Sequence, residues 1–61
     1  MMGKVSKYNS KEGWGFICGD DRRRYYVSQG NVCTRSGSLA AGYTVEFSRG
    51  EGNRALNVRY I

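Results

Sequence analysis

The sequence has no histidine and no proline, and among its 61 residues are only two cysteines and five acidic residues. Without histidine, the commonest general base and zinc ligand is missing. Cys18 and Cys33 do not form a CxxC pair, so no zinc-ligand set is legible. The five carboxylates show no pairing suited to acid–base work, and no nucleophile stands at a useful spacing from a base. Glu46 and Glu51 are separated by a turn and read as surface charges. Gly50-Glu51-Gly52-Asn53 has the glycines of a phosphate loop but lacks the following helix and the Lys-Ser/Thr pair. The expectation is therefore a protein that is not an enzyme and needs no cofactor or metal.

Long apolar runs are absent too. Nothing approaches the roughly 20 residues of a membrane span, and MMGKVSKYNSK lacks the apolar centre of a signal peptide. Met2-Gly3 is like a myristoylation start, but Met1 precedes it and Lys7 stands where Ser or Thr belongs. The default expectation is a cytoplasmic protein, away from membranes, whose two thiols are reduced and packed in or near the core. A Cys18–Cys33 bridge is disfavoured in that setting.

Positive charge is what the chain has in plenty. Ten Lys and Arg give a formal charge of +5 and a pI near 9.6, in the range of nucleic-acid-binding domains. Charge alone would equally suit membrane surfaces or acidic proteins. A chain of this length is one domain, residues 1–61, near the size at which a core becomes marginal. A closed barrel buries apolar surface and hides strand edges in so short a chain. Small size thus favours a surface-binding module over a cleft enzyme.

No helical period is visible. Short runs rich in Val, Ile, Tyr and Phe alternate with Gly, Ser, Asn and Asp, which predicts strands over residues 4–9, 14–18, 23–28, 43–49 and 55–60. The connection between the third and fourth is long and polar, and residues 31–38 are expected to be its most mobile part. Nine glycines without a proline suit bent strands and tight turns. The pattern predicts an all-β, five-stranded antiparallel Greek-key OB-fold barrel, although an SH3-like barrel would give a similar strand list.

The informative stretch is Lys7-Tyr8-Asn9-Ser10-Lys11-Glu12-Gly13-Trp14-Gly15-Phe16-Ile17. In an extended strand Trp14 and Phe16 share one face and Gly15 and Ile17 the other. Glycine on either side of Trp14 is expected to leave the indole accessible. In the third strand Tyr26 shares a face with Arg24 and Ser28, opposite Tyr25 and Val27. If these strands pair, Trp14, Phe16 and Tyr26 form one aromatic platform bordered by cations. Aromatic residues in so small a β-protein also serve as core, and spacing alone does not choose the inward face. Ile17 and Val27 are sufficient for a core, which favours the aromatic face as the outer one. Arg22-Arg23-Arg24 beside Asp20-Asp21 reads as a solvated hairpin with partial internal charge compensation.

Residues 3–17 resemble the opening of bacterial cold-shock proteins, GKVKWFNxxKGFGFI, which contains their first RNP motif. Tyr25-Tyr26-Val27-Ser28 is similar to their second, VFVH. Leu39, Gly42, Val45, Phe47, Gly52-Asn53-Arg54-Ala55 and Asn57-Val58 resemble the family's closing pattern, so the likeness spans essentially the whole chain. The resemblance implies an OB barrel that binds single-stranded RNA or DNA, the activity behind RNA chaperoning and the control of transcription and translation. By position it assigns stacking to Trp14, Phe16 and Tyr26 and matches Tyr8 to an aromatic of the first strand. Lys7, Lys11, Ser28, Gln29 and Arg54 complete the candidate site.

The departures from the family are specific. Lys7 stands where an exposed Trp is usual, and Glu12 where a Lys begins the first motif, with Lys11 beside it. Ser28 replaces a His, Gln29 replaces a Phe, and residues 31–38 hold no aromatic. About half of the family's stacking surface is thereby missing. One expectation is a nucleic-acid binder that engages fewer bases and relies more on Lys4, Lys7, Lys11 and Arg54. The other is a protein-interaction module on the same barrel, acting on transcription or RNA-processing proteins. A monomer is the default state, and Tyr43, Tyr60 and Ile61 are candidates for an apolar patch that would allow a weak homodimer.

Overall fold

The structure, a computed structural model, describes all of residues 1–61. Five strands follow in order: β1 (Met2–Asn9), β2 (Trp14–Gly19), β3 (Arg24–Ser28), β4 (Thr44–Gly50) and β5 (Arg54–Tyr60). A single 3₁₀ turn, Gln29–Asn31, follows β3. The strands close into a barrel in the order β1-β2-β3-β5-β4. The ladders β1–β2, β2–β3, β1–β4 and β4–β5 are antiparallel, and β3 meets β5 through one parallel pair, Tyr26 with Arg54. This closure is the OB-type arrangement expected from the strand list, with β3 and β5 joined at a single point.

Burial follows the period of two expected for half-buried strands. Val5, Ile17, Tyr25, Val27, Val45, Phe47, Ala55 and Val58 point inward, and Leu39 from the long connection joins them. Tyr25 and Phe47 pack with ring centroids 5.1 Å apart. The Tyr25 hydroxyl escapes the core by donating a 2.6 Å hydrogen bond to Asp21 Oδ2, so a buried phenol does not go unsatisfied.

Two bulges bend the strands. Val5 opposes Ile17 but Lys7 opposes Phe16, so Ser6 is an extra residue in β1 and the inward parity passes from Val5 to Tyr8. In the β4–β5 ladder the register shifts between Glu46 and Ser48, where Asn57 of β5 takes φ 53°. Asparagine tolerates that left-handed conformation better than most residues.

The first strand begins two residues before the expected boundary. Met2, Gly3 and Lys4 pair with β4 through Glu46, Val45 and Thr44, and Gly3 and Lys4 also pair with β2. Pairing on two sides overrides the weak strand preference of Met-Gly. The third strand begins one residue later than expected because Arg22, at φ 67°, still belongs to the turn. Asp21 closes that turn by accepting a 3.0 Å bond from the Arg23 N–H.

The long connection is tied down at both ends. Val32 bridges to Val58, and the Cys33 N–H donates to the Val58 carbonyl at 2.7 Å. Within residues 31–38, Thr34 Oγ1 donates to the Ser38 carbonyl at 2.7 Å and accepts from the Ser38 N–H at 3.1 Å.

Both cysteines are free and exposed, which corrects the expectation that they pack in or near the core. Cys18 shares the outward parity of Trp14 and Phe16, and the inward positions on either side are filled by Ile17 and Gly19. Cys33 is exposed just after Val32, the residue that bridges to Val58 of β5.

Candidate nucleic-acid interface

The face of β1–β2–β3 that turns away from the core assembles from register alone. Phe16 of β2 lies between Lys7 of β1 and Tyr26 of β3, and Tyr26 in turn lies beside Arg54 of β5. One step along, Trp14 is opposite Asn9 and Ser28. One step the other way, Cys18 is flanked by Lys4 and Arg24. The middle strand therefore carries a line of soft apolar groups, and the strands beside it carry the cations.

The three rings form a single cluster. Trp14 and Phe16 meet edge to face at 5.6 Å, Phe16 and Tyr26 at 6.2 Å, and Trp14 and Tyr26 lie 6.3 Å apart with planes inclined by 27°. Tyr26 is 36% exposed, and Trp14 and Phe16 are half-buried. The inward face of β2 is Gly15, Ile17 and Gly19. The aromatic face is thus the outer one, because Ile17 and Val27 take the core.

Two cations sit over these rings. Lys7 Nζ is 5.6 Å from the Trp14 ring centroid, and the Arg24 guanidinium carbon is 5.2 Å from that of Phe16. At an exposed site each such contact contributes about 0.5–1 kcal/mol, less than a base stacked on the same ring. Both cations are therefore held close to the rings and can still move to a phosphate.

The acids of this sheet lie in its turns, Glu12 between β1 and β2 and Asp20 and Asp21 between β2 and β3. No acidic residue occurs in β1, β2 or β3. Both ion pairs involve the other strands: Arg59 Nη2 with Glu46 Oε1 at 3.5 Å, and Arg49 Nη1 with Asp21 Oδ2 at 3.9 Å. Asp21 is therefore compensated both within the Arg22-Arg23-Arg24 hairpin, by Arg23, and across the barrel by Arg49. Arg24 instead turns onto the aromatic face. The hydrogen bond from Tyr25, with the nearby Arg23 amide and charge, holds the Asp21 carboxyl below its usual pKa.

Of the expected site residues, Lys7, Trp14, Phe16, Tyr26 and Arg54 are brought together on this face, with Ser28 at its edge beside Trp14. Lys11 is in the turn between β1 and β2, where its N–H donates to Asn9 Oδ1 at 3.0 Å. Gln29 begins the 3₁₀ turn, its N–H donating to the Gly13 carbonyl at 2.8 Å and its side chain packed on Gly13.

Tyr8 is placed differently. The Ser6 bulge turns it inward, where its ring packs on the core and its hydroxyl is buried without a partner. Burial raises the pKa of that hydroxyl. The glycine after Trp14 also has another purpose than expected. A Cβ on Gly15 would come within 2.2 Å of the Lys7 carbonyl oxygen and 2.6 Å of Tyr8 Cα, so its absence admits β1 and does not clear space beside the indole.

Arg24 is an addition to the candidate set, and Lys4, expected as a supporting cation, lies on the same face beside Cys18. Arg24 has a signal in the sequence, since it shares parity with Tyr26. Lys4 owes its place to the register of β1 against both neighbours. Nowhere do three His, Cys, Asp or Glu side chains gather as a metal site would require, and no helix is long and apolar enough to cross a membrane. Compared with known families, residues 1–61 match the one described as the 'Cold-shock' DNA-binding domain. No curated protein matches the chain.

Proposed function

Because this chain belongs to the family of the 'cold-shock' DNA-binding domain, we propose that it binds single-stranded RNA or DNA by stacking bases on Trp14, Phe16 and Tyr26. Nucleic-acid binding is the property of the family. The use of these three rings, with Lys7, Arg24 and Arg54 on the phosphates, is the reading for this chain. The observation that supports it best is the three-ring cluster with Lys7 and Arg24 over its rings, on strands that carry no acidic residue.

The physical case is additive. Every base has a π-face, so stacking contributes about 1–3 kcal/mol per base whatever the sequence. Cations on both sides of the rings let a strand's phosphates follow the face and make affinity fall with salt. Stacking reads no base edge, so sequence preference is weak. A domain with these properties acts on unpaired RNA as a chaperone, or as a regulator of transcription or translation.

Trp14 is the only tryptophan, so its fluorescence reports on the platform without ambiguity. Titration with oligo(dT), oligo(U) and a duplex of matched sequence, at two salt concentrations, tests the reading. Saturable quenching by the single strands, weakened by salt and absent with duplex, is expected. No response at high micromolar strand, with the barrel intact by circular dichroism, would transfer the assignment to a protein-interaction module.

A further inference from the structure

The outward row of the platform does not end at Tyr26. Lys7, Phe16, Tyr26, Arg54 and Gly50 stand opposite one another in turn, through β1, β2, β3, β5 and β4. Beside Arg54 the row opens into a shallow groove lined by Gly50, Glu51, Gly52, Arg54 and Leu56. Leu56 shares the outward parity of Arg54 and is half-buried, while Ala55 between them points into the core. Its side chain lies across bare backbone, since a Cβ on Gly50 would stand 3.0 Å from Leu56 Cδ1. The groove therefore has an apolar floor, with one cation and one carboxylate on its rim.

We infer that this groove is a guanine subsite, filled by a base of the strand that stacks on Trp14, Phe16 and Tyr26 and read by Glu51. The inference rests on the proposed function and deepens it by one base-specific contact. Continuity comes from Arg54, which pairs with Tyr26 in register and also lines the groove. Its guanidinium, on the phosphate between two bases, carries the strand from Tyr26 to Leu56.

The rim decides the occupant. Glu51 and Arg54 line the groove together, yet neither belongs to either of the protein's two ion pairs. The hydrogen-bonding capacity of both is left to a ligand. A carboxylate repels phosphate, so Glu51 keeps the backbone out of the groove and takes a base edge as its partner. Ionised, it only accepts, through two oxygens side by side. Guanine alone offers two adjacent donors, N1–H and the 2-amino group. Cytosine and adenine offer an amino group beside an acceptor, and thymine and uracil an N–H between two carbonyls. Size agrees with a single base. Five residues line the groove, whereas a protein partner engages about 20 or more a side.

The test uses a labelled oligo(dT) of about six nucleotides and the same strand with one dG, dA or dI at each position in turn. Affinities are measured by anisotropy for wild type, Glu51→Gln, Glu51→Ala and Trp14→Ala. Each substituted strand is compared with oligo(dT) on the same protein, so a general effect of charge cancels. In wild type, dG at one position is expected to strengthen binding by about 5-fold or more. There dA gains less, and dI, which lacks the 2-amino group, falls between. Glu51→Gln removes most of the gain and Glu51→Ala all of it. Trp14→Ala weakens every strand and keeps the ratio. Equal affinity for all substituted strands would overturn the subsite and leave the platform standing. A gain with dA equal to that with dG, or one that survives in Glu51→Ala, would overturn it as well. If wild type does not bind oligo(dT) at all, the proposed function fails and the subsite with it.

Discussion

Gly15 and Tyr8 face each other across the β1–β2 ladder so closely that a Cβ on Gly15 would stand 2.8 Å from Tyr8 Cδ1 and 2.6 Å from its Cα. The neighbour is largely backbone, so it has no rotamer by which to withdraw. Gly15→Ala is therefore expected to cost about 3 kcal/mol or more, a large part of the roughly 3–9 kcal/mol available to a chain of this size. Thermal melts by circular dichroism will show it as a loss of more than about 10 °C in Tm. Gly30→Ala is the control, with nothing within 4 Å of the added methyl. A Gly15→Ala protein that melts like the control would disprove the close approach.

Trp14 lies on the outer face, so its removal separates binding from folding. Trp14→Ala should keep the barrel and lose about 1–3 kcal/mol of single-strand affinity, measured by titration of a labelled oligonucleotide. Collapse of the fold with binding spared would show that the indole belongs to the core and that there is no platform.

Lys7 makes a different contribution from Trp14, through charge. Lys7→Ala should lower the magnitude of the slope of log K against log salt by about 0.7, the value for one phosphate contact on a single strand. Arg24→Ala should do the same. Glu46→Gln, on β4 and paired with Arg59, should leave the slope unaltered. Equal slopes for all three variants and wild type would remove Lys7 and Arg24 from the phosphate path.

Asp21 ties folding to pH. Its folded pKa is depressed, first by the hydrogen bond from Tyr25 and then by the Arg23 amide and charge. Its contribution is complete above the unfolded value of about 3.9 and is lost as pH falls through the lower folded value. Urea melts between pH 7 and pH 2 should show stability declining below about pH 4, with a shallower decline in Asp21→Asn. An identical acid limb in the variant would assign the decline to other carboxylates.

Cys18 offers a footprint of the bound strand, since it is exposed between Lys4 and Arg24 on the aromatic face, while Cys33 lies beside β5. Both thiols should react with a colourless-to-coloured disulfide reagent in the folded protein. Saturating oligo(dT) should slow the reaction of Cys18 and spare that of Cys33. Equal rates at Cys18 with and without strand would place the ligand elsewhere.

Much of this site was legible before any fold was known. Strand parity alone put Trp14 and Phe16 on one side of β2, and Tyr26 with Arg24 on one side of β3. Such relations are local: residues two apart in an extended chain share a face whatever surrounds them. The five strands and their turns followed in the same way, with small errors where the ends are settled by partners, as at Met2 and Arg22.

Three features belonged to the tertiary structure. The Ser6 bulge turned Tyr8 towards the core, where it is partly buried, and a bulge arises only when two strands fail to match in step. The parallel closure of β3 on β5 set Arg54 beside Tyr26 from 28 positions away in the chain. The choice of Ile17 and Val27 over Trp14 and Phe16 for the interior was made by the barrel as a whole. Alternation along a strand defines two faces, but which one is buried depends on what the other strands bring to meet it.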